Sequence, residues 1–335
     1  MPEQKDNFLE IILAKESTLN GGELIPLIVP YEFTQGTGLM NPSIYLDGDR
    51  LLLTIRHVNY VLYSAENLKF PHTYGPLQYI HPEKDPHLRS QHFFMELNKK
   101  TFEPLFIKKI DSSSFDNPFD CEFIGVEDPR LFRWDNKLYI CGVRRDADEI
   151  GLGRMELSEI VEEDDEVIEI SRERLPTPNN KESKCEKNWM PILDKPFSFI
   201  KWCNPLELVE YSLKTKITTT THLGNYDNKF RNDLRGGSQV ITYKEYKVAI
   251  IHETYWHPSI AGNKNATYKH RFILWDKKGH IVKYSDVFTF MDAEVEFCCG
   301  LTFLNGKFIA TFGYQDNAAF LLTIPEKLFI SMVGL

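Results

Sequence analysis

Cysteine is scarce and shows no pairing pattern: the six thiols, Cys121, Cys141, Cys185, Cys203, Cys298 and Cys299, contain no Cys-x-x-Cys unit. That excludes the usual zinc-binding and dithiol motifs and a dense disulfide framework, leaving free thiols of a reducing compartment. A tract of Lys and Arg able to follow a nucleic-acid backbone is also missing, and 39 basic residues against 48 acidic ones give a net charge of −9. Nucleic acid is therefore not an expected partner. No apolar run is long enough to span a bilayer, and the amino-terminal "MPEQKDNFLEIILAKE" is broken by Glu10, so no membrane span and a cytoplasmic location are expected. Long amphipathic helical periods are rare, which argues against an α/β architecture.

What the chain has in quantity is apolar alternation punctuated by turns. Of 335 residues 42% are hydrophobic, enough for a large core, and one hairpin unit recurs five times. The units are "NPSIYLDGDRLLLTIRHV", turning at Asp47-Gly48; "DPRLFRWDNKLYICGVRR", at Asp135-Asn136; "NWMPILDKPFSFIKWC", near Asp194-Lys195; "GSQVITYKEYKVAIIHE", around Lys244-Glu245; and "GLTFLNGKFIATFGYQD", around Asn305-Gly306. Asp-Gly and Asn-Gly are strong hairpin signals because both residues tolerate positive φ. Strand candidates between the hairpins, such as "HRFILWDKKGHIVKYSDVFTF" and the acidic "EIVEEDDEVIEISRE", bring each block to about four strands. The expectation is an all-β, five-bladed β-propeller, with residues 1–335 forming a single catalytic domain. Its ring would be closed by "FLEIILA" or "LIPLIVP" joining a blade of carboxy-terminal residues.

In a propeller, strand ends and loops converge at one mouth of the central channel, so polar residues at equivalent hairpin positions should meet there. At the hairpin fronts stand Asn41-Pro42, Glu127-Asp128-Pro129-Arg130, Glu186-Lys187-Asn188-Trp189, Arg235-Gly236-Gly237-Ser238 and Glu296. At the far ends stand Arg56-His57-Val58-Asn59-Tyr60, Arg144-Arg145-Asp146, His252-Glu253 and Tyr314-Gln315-Asp316-Asn317. Any single group could simply end strand pairing, since proline lacks a donor. Five in register point to a shared pocket, with Asn41, Arg56, Asn59, Tyr60 and Asp316 as candidates for substrate contact. The run "RDAD" has the form of an Asp-x-Asp metal motif, but an exposed Arg145–Asp146 ion pair accounts for it, and no metal is expected.

With these residues in view, the chain resembles the five-bladed β-propeller enzymes of glycoside hydrolase family 130, the mannoside phosphorylases and hydrolases. It is also similar to the related mannosyltransferase/phosphorylases of glycosyltransferase family 108. The resemblance runs from about Asn41 to Asp316; its most specific element is Gly125 to Arg130, supported by "NPSI…IRHVNY", "EKNWMP" and "YKHRFILWD". The chain departs from typical phosphorylases in "IRHVNY", "LRGGS" and "FGYQDN". The resemblance implies that Asp128 is the catalytic acid of an inverting enzyme, passing its proton through a sugar hydroxyl, with Glu127 and Arg130 shaping the sugar subsite. A carboxyl group in a partly apolar mouth beside a second carboxylate is expected to have a raised pKa, with Arg130 keeping Glu127 ionised.

An inverting hydrolase needs a second carboxylate to activate water. A phosphorylase instead needs cations and donors around a phosphate dianion. Arg144, Lys187, Asn188, Arg235, His252 and His270 are the phosphate candidates, and Arg56, Arg145 and Arg271 add to the supply. The expected function is inverting glycosyl transfer on mannosides or a similar sugar, using phosphate or a phosphorylated donor and no other cofactor. The partner is then an oligosaccharide or sugar phosphate. The alternatives are a glycosidase with Glu253, Glu296 or Asp316 as base, and a catalytically silent sugar-binding propeller, against which the intact Gly-x-Glu-Asp-Pro-Arg pattern counts. Sugar, linkage, acceptor and oligomeric state stay open.

Overall fold

All five expected hairpins form at their turn signals in a computed structural model, which describes residues 11–64, 77–80, 85–230, 234–258, 262 and 264–335. Asp135 and Asn136 both adopt left-handed backbone (φ 47° and 62°), as do Asn305 and Gly306 (51° and 74°), the combination that matches strand twist in a two-residue hairpin.

Two further antiparallel strands extend each hairpin. The first sheet is Leu39–Asp47, Arg50–Val58, Leu88–Leu97 and Pro104–Asp111. The second is Val126–Trp134, Lys137–Arg144, Arg154–Glu162 and Val167–Arg174. Its last two strands are the acidic segment, whose Ile and Val residues pair while its acidic turn stays exposed. The third sheet is Met190–Pro191, Ser198–Cys203, Leu206–Ser212 and Ile217–Leu223. The fourth is Ile241–Tyr243, Tyr246–Pro258, Lys264–Trp275 and Ile281–Tyr284. In the fifth, Glu296–Leu304, Lys307–Tyr314 and Ala318–Pro325 are completed by the amino-terminal strand Glu23–Leu27.

That last pairing is the expected closure through "LIPLIVP", and it removes the free edge of the carboxy-terminal strand. The alternative segment "FLEIILA" falls partly outside the described residues, and its Ile11–Ile12 pairs in parallel with Phe288–Thr289. The carboxy-terminal helix Glu326–Val333 seats Phe329 against Phe308, with ring centroids 4.1 Å apart. Among the described residues no helix is long and apolar enough to cross a membrane. All six cysteines are free; burial pushes the Cys141 and Cys298 thiols up to about 12 and keeps them protonated.

Hydrogen bonds join the innermost strands in ring order. Leu131 N–H donates to Ser43 Oγ, linking the first and second sheets, and Trp134 Nε1–H to the Ile192 carbonyl, linking the second and third. Val240 N–H reaches the Pro191 carbonyl, Leu301 N–H reaches Gln239 Oε1, and Thr311 Oγ1 donates to the Pro42 carbonyl, which returns to the first sheet. The all-β propeller is thus closed both at its outer edge and around its axis.

Gln239, fully buried, is the hub of this arrangement. Its Nε2 donates among Ser43 Oγ (3.0 Å), the Ile44 carbonyl (3.0 Å) and the Leu131 carbonyl (2.7 Å), while Oε1 accepts from Leu301 N–H. One side chain of the fourth sheet therefore satisfies backbone groups of three others. Gln239→Leu keeps much of the volume but strands these groups, each at about 1–3 kcal/mol, so a total loss of at least about 3 kcal/mol is expected in urea unfolding. A variant within 1 kcal/mol of the parent, on the order of experimental error, would remove the hub from the account.

Candidate active site

Proline explains how buried strands come to begin with charge. In the first hairpin the register slips between Met40 and Ser43, and in the second between Glu127 and Arg130. Pro42 and Pro129 have no N–H for the ladder, so the chain bulges there and turns the preceding Asn41 and Asp128 toward the axis. Both of those residues are left-handed (φ 47° and 51°). Facing glycines make room: a Cβ on Gly142 would come within 2.4 Å of the Glu127 carbonyl, and one on Gly313 within 2.0 Å of Asn41 Oδ1.

These turned residues line a cavity of about 170 Å³ together with Arg56, Tyr60, Phe123, Glu127, Lys187, Asn188, Arg235, His252, Tyr268, Val295, Phe297 and Asp316. At its centre, Asp128 Oδ1 accepts from Asn41 Nδ2 (2.7 Å) and from Arg56 Nη1 (2.9 Å). Oδ2 has no protein partner among the described residues, and the side chain keeps 19% of its surface exposed. Arg56, only 6% exposed, is held in place by Ser90 Oγ at 2.8 Å. Arg130 lies beneath: its Nη1 donates to the Asp128 carbonyl (2.7 Å) and its Nε to the Gly237 carbonyl (2.8 Å).

Electrostatics reverse one expectation. Burial raises the Asp128 carboxyl, but the Arg56 charge, the Asn41 hydrogen bond and Arg130 outweigh it, so Asp128 lies below the ordinary carboxylate range. The raised group is Asp316, pushed up to about 6 by burial and by the Asp128 charge. Arg130 is not the partner of Glu127 either; Arg145 Nε reaches Glu127 Oε1 at 3.1 Å. His252 lies well below its normal pKa because of burial and neighbouring His270, Arg235 and Lys187. Its Nδ1 faces the Gly236 carbonyl at 3.0 Å, so the neutral ring donates there and leaves Nε2 as an acceptor.

Ten of the residues expected from sequence meet here: Asn41, Arg56, Tyr60, Glu127, Asp128, Lys187, Asn188, Arg235, His252 and Asp316. Four do not line the cavity. Asn59 holds the loop below through the His87 carbonyl and Arg89 N–H. Arg130 acts from underneath on backbone. Arg144 is buried in an ion cluster with Asp146 (2.7 Å) and Asp116 (3.0 Å), so the exposed Arg145–Asp146 pair expected from the "RDAD" run does not form: Asp146 is fully buried and Arg145 reaches Glu127 instead. His270 stacks on Phe288 and meets Phe290 edge-on, and burial drops it to about 3, too low for a phosphate-binding cation.

Of the carboxylates expected as a base for water, only Asp316 lines the cavity. Glu253 is paired with Arg271, and Glu296 accepts from the backbone N–H groups of Phe290, Met291 and Ala293. The lining residues Phe123, Tyr268, Val295 and Phe297 escaped the sequence reading because an aromatic or apolar residue on a strand looks like core. For Tyr268 the signal was its place two residues before His270, on the same face.

No protein-family model and no curated protein matches the chain. Solved structures do match in fold. The β-1,2-mannobiose phosphorylase from Listeria innocua is 12% identical with a TM-score of 0.56, over 93% of this chain and 96% of that one. MPT-4, a mannose phosphorylase from Leishmania mexicana in complex with phosphate, is 13% identical with a TM-score of 0.55, over 95% and 93%. MPT-1 from the same organism, a GDP-Man-dependent mannosyltransferase, is 12% identical with a TM-score of 0.51, over 93% of each chain. The chain thus has the fold of these enzymes.

The contrast between Asp128 and Asp316 has a measurable sign. A carboxyl whose folded pKa is about 6, above its unfolded 3.8, favours folding when protonated and opposes it when ionised. Asp316→Asn should therefore be more stable than the parent above about pH 6 and no different below about pH 4. Unfolding curves across that range check it; equal stability at pH 8 (about two units above the raised pKa) would refute the assignment.

Proposed function

We propose that the protein is an inverting mannosyl-transfer enzyme that uses phosphate or a phosphorylated mannose donor, with Asp128 carrying the proton. The observation that carries this reading is the Asp128 carboxylate itself. Asn41 and Arg56 fix one oxygen, the other is free of protein partners among the described residues, and Arg56, Lys187 and Arg235 line the same cavity. Cations at that density suit an anionic group on the substrate. The fold shared with mannoside phosphorylases and a GDP-Man-dependent transferase supports it.

The resting charge decides which role Asp128 takes first. An ionised Asp128 is ready to accept a proton, so it acts as general base for an acceptor hydroxyl attacking the anomeric carbon of a mannosyl phosphate. The C–O bond to phosphate breaks, phosphate leaves with the electron pair, and Asp128 keeps the hydroxyl proton. Phosphorolysis is the same path reversed, with protonated Asp128 as the acid. Neutral His252 offers its Nε2 as an acceptor for a sugar or phosphate hydroxyl instead of a positive charge. Six free thiols suit a cytoplasmic setting.

Sugar release with and without phosphate, and transfer from mannose 1-phosphate or GDP-mannose onto mannose, test the reading. Asp128→Asn should lower turnover by about 10²–10⁴ while the protein stays folded. Lys187→Ala should weaken phosphate or sugar phosphate by about 1.5–3 kcal/mol, with neutral sugar binding less affected. Equal sugar release in phosphate-free buffer, with no transfer from either donor, would make the protein a glycosidase, with Asp316 as its base.

A further inference from the structure

Arg56 stands where more than one carboxylate could claim it. The charges of Asp128, Glu127 and Asp316 all act on its buried guanidinium, and all three residues line the same cavity. Glu127 is already paired with Arg145, whereas Asp316 has no hydrogen-bond or ion-pair partner among the described residues. Charge alone would let Arg56 turn to Asp316, yet its Nη1 meets Asp128 Oδ1 at 2.9 Å. The choice is made on the other side of the guanidinium.

Register places His92 opposite Arg56 and Ser90 opposite Val58, so Ser90 is the diagonal neighbour of Arg56 on one face of the first sheet, within reach of a long side chain. Ser90 Oγ accepts from Arg56 Nε at 2.8 Å. With Nε tied to the strand and Nη1 to Asp128, the planar fork cannot swing without breaking one of the two bonds. The backbone of Ser90 is fixed in turn by the segment that carries Asp128. Phe123–Ile124 pairs in parallel with Leu88 and Arg89, which brings Gly125 against Ser90. A Cβ on Gly125, whose φ is 91°, would come within 2.6 Å of the Ser90 carbonyl oxygen. The glycine of "GVEDPR" therefore docks on Ser90 while its aspartate docks on Arg56, two anchors joined through one serine. Ser90 and Gly125 line a separate cavity of about 150 Å³ and not that of Asp128.

We propose that Ser90 is a positioning residue whose hydroxyl commits Arg56 to Asp128 in preference to Asp316. The inference rests on the reading of Asp128 as the proton carrier, and it identifies what makes Asp128 the more acidic of the two cavity aspartates. Without that commitment the guanidinium is shared, Asp128 loses the charge that outweighs its burial, and Asp316 gains one. Other groups around the fork do not compete for it. Burial drops His92 to about 3 and holds the Cys299 thiol well above its normal range, so both are uncharged, and Tyr60 and Tyr268 present phenols. The neighbouring cations are engaged elsewhere: Arg130 donates to the Asp128 and Gly237 carbonyls from beneath, and Lys187 acts on Asp316.

NMR titration of the aspartate carboxyl carbons in phosphate-free buffer tests it, with Asp128→Asn and Asp316→Asn assigning the two signals and mannoside turnover measured alongside. In Ser90→Ala the Asp128 midpoint should rise and the Asp316 midpoint fall, each by about one pH unit, the scale on which a charged partner at hydrogen-bond distance acts. Ser90→Thr keeps the hydroxyl and should return both midpoints towards the parent. Unmoved midpoints, or two midpoints that move in the same direction as a general loosening of the site would make them, overturn the proposal. Opposite shifts in a protein whose parent form turns over no mannoside uphold the positioning by Ser90 and overturn the mannoside reading alone.

Discussion

The amide of Gln239 sets the spacing on which the site depends. A propeller sheet has no covalent reason to keep its innermost strand at a given height along the axis, and a slide by one residue would turn every side chain over. Gln239 removes that freedom by bonding, from the fourth sheet, to backbone of the first, second and fifth. Immediately before it, the Gly236 and Gly237 carbonyls receive His252 and Arg130. The same short stretch therefore locks the strands in register and orients one group that lines the cavity, His252, and one beneath it, Arg130.

Above that lock the backbone is held in unfavourable conformations where ligands would bind. Asn41, Asp128, Asn188 and Asp316 all line the cavity and all have positive φ, between 47° and 62°. Asn and Asp tolerate this region better than other side chains, yet each such residue still costs free energy that surrounding structure must offset. Two of them precede proline, which alone would favour an extended conformation. Their side chains are consequently aimed by backbone geometry as well as by rotamer choice. A flexible loop would not hold Asp128 Oδ2 at the cavity with Oδ1 already bonded twice.

Turns and alternation made the architecture legible because both are local: Asp135-Asn136 and Asn305-Gly306 announce their hairpins with no knowledge of the rest of the chain. Convergence of polar strand ends was legible too, since the fold places equivalent positions together. What escaped was orientation. Arg144 and Arg145 are neighbours on one chain and equally basic, but successive residues point to opposite sides, so one enters the Asp146 cluster and the other reaches Glu127. The sign of the Asp128 shift escaped for a different reason. Its Asn41 and Arg56 partners come from another sheet, 87 and 72 residues away, and no local pattern reveals that they reach the same oxygen.

That sign bears directly on how one carboxyl could serve transfer in both directions. Arg56 and Asn41 hold Asp128 below the ordinary carboxylate range, while Asp316, at about 6, is the cavity carboxyl that titrates nearer neutrality. A phosphate dianion bound among Arg56, Lys187 and Arg235 would add negative charge beside both carboxylates and draw on the same guanidinium that depresses Asp128. Both pKa values must then rise, because like charge disfavours the ionised form and a shared cation stabilises each partner less. On the proposed reading, phosphate binding thus favours uptake from solvent of the proton that phosphorolysis needs, and its departure restores the base that synthesis needs. The Arg56–Asp128 pair is then the element through which occupancy of the anion subsite sets the protonation state at the reacting bond.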